Sequence, residues 1–107
     1  MPTVDSSDTT TADGTEQTLA ALTANKYYSA HVSLANMAAG DTTVLRVYIK
    51  VLTTSSYALY WEETYNNAQT DQEIIFIAAQ PSVWAWKLTL EQTAGTNRNY
   101  EWQVYKV

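Results

Sequence analysis

His31 is the only histidine in this chain of 107 residues, and it stands in the stretch KYYSAHVSL with Ser29 and Ser33 two positions to either side. A serine next to a histidine is the pairing that nucleophilic hydrolysis uses. That chemistry also needs an acid to orient the imidazole and donors to hold an oxyanion. No G-x-S-x-G elbow occurs in the sequence. A period-two reading puts Ser29, His31 and Ser33 together on the polar face of one strand, so His31 is expected at the surface without a catalytic role. A lone histidine and the absence of cysteine leave no His-based or thiolate zinc site to expect.

The carboxylates are no better placed for catalysis. Glu62 and Glu63 are adjacent, and adjacent strand residues point to opposite faces, so they cannot share a metal or act as an acid/base pair. Either one facing Glu73 or Asp71 across strands would give a glycosidase-like separation, but solvated strand charges are the expectation. Asp41 follows Gly40 and reads as a turn residue rather than a calcium ligand. The three glycines do not form a phosphate-binding loop. The reading is of a non-enzymatic protein with no cofactor and no metal.

The surplus lies in the aromatics, eight Tyr and four Trp against one Phe. Trp84, Trp86 and Trp102 fit inward-facing strand positions. Tyr57, Tyr60 and Trp61 cannot all share a face, nor can Tyr27 and Tyr28. Tyr48 and Tyr105 stand opposite the apolar sets of their strands. Several rings must therefore face outward. Outward Tyr and Trp serve either as anchors of a protein interface or as platforms on which sugar rings stack, with Tyr60 or Trp61 as the platform.

The elements that must position these residues are strands. Tyr28, Ala30, Val32 and Leu34 alternate with Tyr27, Ser29, His31 and Ser33. Leu45, Val47, Ile49 and Val51 alternate with Arg46, Tyr48 and Lys50. Tyr57–Tyr65 reads as a strand with aromatics on both faces, and Glu73–Ala79 as a short, wholly apolar one. Trp84, Trp86, Leu88 and Leu90 share a face, as do Tyr100, Trp102 and Val104. Glu16–Leu22 reads as one more strand, with a helical turn over TLAALTA as the alternative. About seven to eight regular strands with turns at Gly40-Asp41 and Gly95, and no helix, predict an all-β antiparallel sandwich. Its edges are guarded either by Lys50, Lys87 and Lys106 or by a partner chain that covers one of them.

The opening segment departs from this pattern. Residues 1–17 are rich in Thr, Ser and Asp, with Val4 as the one sizeable apolar side chain after Met1. Asp5, Asp8, Asp13 and Glu16 stand there without a base, whereas the other seven acids face all six Lys and Arg. Such a composition does not order itself. It reads as an extended arm that becomes ordered on a neighbour, the alternative being that it packs on its own sandwich, followed by one sandwich domain over residues 18–107. No basic footprint for nucleic acid is present, no apolar run approaches the roughly 20 residues of a membrane span, and no signal peptide is evident. The absence of cysteine fits assembly in a reducing compartment.

The C-terminal stretch LEQTAGTNRNYEWQVYK, with Leu90, Gln92-Thr93, Gly95 and Arg98 followed by Trp102-x-Val104-x-Lys106, resembles the closing hairpin of small jelly-roll head decoration or cement proteins of tailed bacteriophages. The resemblance implies a jelly-roll-like sandwich that forms homotrimers on the major capsid protein lattice of a virion assembled in the host cytoplasm, with an arm extending to neighbours. It carries no catalytic residues. On this reading Val4, Asp5, Asp8 and Asp13 of the arm and the outward Tyr27, Tyr48, Tyr60, Trp61 and Tyr105 form the interface. The alternative is a carbohydrate-binding sandwich module of a viral or cell-surface assembly.

Overall fold

The computed structural model describes residues 3–23, 26–52, 54–82 and 85–106. Its strands are, in order, β1 (Thr3–Thr11), β2 (Glu16–Leu22), β3 (Lys26–Ser33), β4 (Thr42–Ile49), β5 (Ala58–Asn66), β6 (Ile74–Ser82), β7 (Trp86–Ala94) and β8 (Asn99–Lys106). No helix occurs among the described residues. The strands form two four-stranded antiparallel sheets, ordered β1-β8-β3-β6 and β2-β7-β4-β5.

One operation generates this order. Laid out as a long hairpin, the chain pairs β1 with β8, β2 with β7, β3 with β6 and β4 with β5. Rolling that ribbon brings β8 against β3 and β7 against β4. The result is the jelly-roll form of the antiparallel β-sandwich.

Alternation decides what lies inside. Tyr28, Ala30 and Val32 of β3, Leu45 and Val47 of β4, Leu88 and Leu90 of β7, and Tyr100 and Val104 of β8 are almost fully buried. The Tyr28 and Trp86 rings stack between the sheets at 5.5 Å, which adds about 0.5–1.5 kcal/mol beyond their buried area. Trp102 is also buried; Trp84, expected beside these two tryptophans, lies outside the described residues. Met37 and Leu34, from the β3–β4 connection, join the core.

The opening segment is a strand of this sandwich and not an arm outside it. Residues 3–11 form β1, in register with β8 from Thr3 opposite Lys106 to Thr11 opposite Asn99. Glu16 and Gln17, placed in the arm by composition, begin β2. The physical reason is that β8 has an inward row of apolar residues and a free edge. A polar segment can satisfy that edge with main-chain hydrogen bonds alone, whatever its side chains.

Three smaller expectations change as well. Val51 is exposed, because β4 ends at Ile49. Lys87 and Lys106 sit on the central strands β7 and β8, and Lys50 follows β4, so none of the three guards an edge strand. β6 carries apolar residues on both faces: among its described side chains, Ile75 and Ile77 point into the core, whereas Ile74 and Phe76 are more than half exposed.

Candidate functional site

The outer face of the β1-β8-β3-β6 sheet carries one transverse row of side chains. Ser7 on β1 stands opposite Gln103 on β8, Gln103 opposite His31 on β3, and His31 opposite Phe76 on β6. Cross-strand partners share a face, so the four lie side by side. Flanking the row are Thr9 opposite Glu101 and Ser33 opposite Ile74 on one side, and Ser29 opposite Tyr105 on the other.

His31 is the centre of this face. Its Nδ1 is 3.1 Å from the Tyr105 hydroxyl. The imidazole lies 5.1 Å from the Phe76 ring at a tilt of 54° and 5.2 Å from the Tyr105 ring, edge-on at 79°. Two depressions meet at it. One, of about 500 Å³, is lined by Ser7, Thr9, His31, Ser33, Ile74, Glu101 and Gln103, together with Asp8 and Trp102. The other, of about 380 Å³, is lined by Ser29, His31, Phe76 and Tyr105.

The polar groups of this face are largely unengaged. Among the described residues, the side chains of Ser7, Glu101 and Gln103 make no hydrogen bond within the chain, and His31 Nε2 has no partner there. A hydrolase triad would need an acid on the imidazole; the group on His31 Nδ1 is a phenol.

The outer face of the other sheet is closed in on itself. Arg46 of β4 donates from Nε to Glu62 at 2.6 Å and from Nη1 to Glu91 at 2.8 Å, and Glu16 lies 3.6 Å from Nη1. Glu16 also accepts from the Tyr48 hydroxyl and the Thr89 hydroxyl, each at 2.6 Å. The hydrogen bonds to Glu91 and Glu62 raise the Arg46 pKa against the opposing effect of burial. Partial burial works to raise the Glu16 pKa, but the hydrogen bonds from Thr89 and Tyr48 and the charges of Arg46 and Lys87 hold it below the usual carboxylate value. Lys87 covers the Tyr48 and Tyr57 rings at 4.8 and 4.6 Å. Glu62 is thus a partner of Arg46, whereas Glu73 lies just before β6 of the opposite sheet.

Two further clusters hold the closing hairpin. The Asp41 carboxylate, almost fully buried, accepts from Arg98 Nε at 2.8 Å and from the Ala38 and Thr96 amides. The Arg98 hydrogen bond, helped by that of Ala38, holds Asp41 below the ordinary aspartate value. Inside the sandwich, the Tyr100 hydroxyl donates to Gln92 Oε1 at 2.9 Å and meets Thr43 Oγ1 at 2.7 Å.

The residues expected to form an interface are scattered over these surfaces. Val4 is exposed on β1 opposite Tyr105. Asp5 pairs with Lys106 at 3.4 Å. Asp8 borders the larger depression and accepts from the Thr9 amide. Asp13 is bound within its own turn by Thr15, whose hydroxyl and amide lower its pKa. Tyr27 on β3 and Tyr60 on β5 are more than half exposed, whereas Trp61 packs partly against the core. Tyr48 belongs to the Arg46 network. Only Asp8 and Tyr105 border the His31 depressions. Reading the sequence missed Phe76, Gln103 and Glu101, because the row exists only once β8 lies between β1 and β3. The one available signal was that Gln103 and Tyr105 alternate with Trp102 and Val104.

Compared with known proteins, the chain matches no family model, no curated protein and no solved structure.

Proposed function

We propose that this chain is a non-enzymatic structural subunit of a virion, a capsid decoration or cement protein that forms homotrimers and stabilises a lattice of major capsid protein. One observation carries the assembly reading. β5 is the edge of its sheet, paired only with β4, and every residue along it is exposed or half-exposed. Leu59 and Tyr60 on that strand, with Val51 and Leu52 in the connection before it, are each more than half exposed. An unpaired strand edge with large apolar side chains invites pairing with another chain, and a partner that covers it removes the liability. The virion part of the reading rests on the resemblance of the closing hairpin and on the jelly-roll architecture, and architecture alone does not specify function.

Sedimentation of the purified chain at micromolar concentration tests the oligomer. The expected result is a trimer that dissociates when Leu59 and Tyr60 are both replaced by serine. A monomer across the whole concentration range overturns the trimer. Mass spectrometry of virus particles purified from the producing host tests the location: the chain is expected in fixed ratio to the major capsid protein, and particles without it overturn the virion reading.

A further inference from the structure

We propose that the outer face of the β1-β8-β3-β6 sheet binds a neutral carbohydrate, with Phe76 as the stacking ring and His31, Glu101 and Gln103 as the groups that read its hydroxyls. A sugar ring presents C–H bonds on one face and hydroxyls around its rim. It is held by an aromatic ring beneath the first and by fixed donors and acceptors at the second. Phe76 is more than half exposed and stands in register beside His31, with Gln103 next in the same row on the far side of His31. Among the described residues, the side chains of Glu101, Gln103 and Ser7 make no hydrogen bond within the chain, so their side-chain polar atoms are free for a ligand. Each of the two depressions, about 500 and 380 Å³, falls in the size range of small-molecule sites.

The same groups argue against other occupants. Among the described residues no Lys or Arg lines either depression, and Asp8 and Glu101 border the larger one. A phosphate, sulfate or carboxylate is therefore repelled. An apolar protein surface would bury Glu101 and Gln103 without partners, at a cost that such surfaces avoid. The opposite sheet offers a contrast, since Arg46, Glu16, Glu62 and Glu91 on its outer face pair with one another and Lys87 covers tyrosine rings. The inference does not depend on the virion reading and leaves β5 free for assembly.

The test uses the intact chain on an array of neutral oligosaccharides built from glucose, galactose and mannose, with sialylated and sulfated members alongside. The best neutral member is then titrated by calorimetry. Retention of neutral members alone is expected, with affinity about tenfold weaker in Phe76→Leu, which keeps an apolar side chain but loses the ring, and in Gln103→Ala. Retention of no neutral sugar, preference for the sialylated or sulfated members, or affinity unchanged in both Phe76→Leu and Gln103→Ala overturns the proposal. Melting curves of the variants, expected to match the parent because both side chains lie on the outer face, separate lost binding from lost folding.

Discussion

The Trp102 indole N–H donates to the Thr10 hydroxyl oxygen at 2.9 Å. A core tryptophan of β8 is thereby satisfied by a threonine of the segment that composition alone assigns to a loose arm.

That bond sets the first prediction. Deleting residues 1–11 removes the whole β1–β8 ladder. At a net value of about 0.5–1.5 kcal/mol per hydrogen bond, the loss is several kcal/mol against a total stability of about 5–15 kcal/mol. Urea denaturation is expected to show a large fall in the midpoint, and hydrogen exchange on the free subunit is expected to show protected β1 amides. A truncated chain that unfolds like the parent removes β1 from the fold.

How much of this was legible follows from where the apolar residues sit. β3, β4, β7 and β8 declared themselves, because each has one apolar row and one polar row, and those rows became the inner and outer faces. β1 could not declare itself, since TVDSSDTTT has no inward row to detect. Its signal was topological. A jelly roll pairs its first strand with its last, so the closing hairpin that suggested the fold also called for a partner on β8. β6 hid its exposed residues for the converse reason: in IIFI no period separates Ile75 and Ile77, which are buried, from Ile74 and Phe76, which are not. The meeting of His31 with Phe76 and Tyr105 depends on which strands become neighbours, which no local pattern carries.

Gly95 and Gly14 give a paired prediction. Both have positive φ, near +91° and +85°. A Cβ on Gly95 would lie 2.0 Å from Asp41 Oδ1, whereas a Cβ on Gly14 meets nothing within 4 Å. Gly14→Ala bears only the left-handed backbone, about 1–2 kcal/mol. Gly95→Ala adds displacement of a carboxylate that is held by Arg98, Thr96 and Ala38, and it is expected to lose distinctly more. Parallel urea titrations decide this, and equal losses would rule out the Asp41 contact as the difference.

The buried hydroxyl of Tyr100 gives a third. As its proton goes to Gln92 Oε1, the Thr43 hydroxyl donates to it. Tyr100→Phe keeps the ring and leaves Thr43 without its buried partner, an expected loss of about 1–3 kcal/mol. Adding Thr43→Val to Tyr100→Phe is expected to recover part of that loss. A double variant no more stable than additive singles would show the two hydroxyls to be uncoupled.

The last prediction concerns acid. Asp41 is held below its ordinary value of 3.8 by Arg98 first and by the Ala38 amide next. A carboxyl whose pKa is depressed in the native state protonates earlier in the unfolded chain. As pH falls below about 3.8, the unfolded state takes up the proton that the native state resists, and stability drops until the native Asp41 protonates too. Above that range the contribution of Asp41 is complete and flat. Glu16 and Asp13, also lowered, act in the same direction. Melting temperature against pH is therefore expected to hold level through neutrality and to decline below pH 4. Asp41→Asn is expected to start lower at neutral pH, having lost the charge opposite Arg98, and to decline less steeply in acid. If its acid decline runs parallel to that of the parent, the Asp41–Arg98 pair has no part in acid stability.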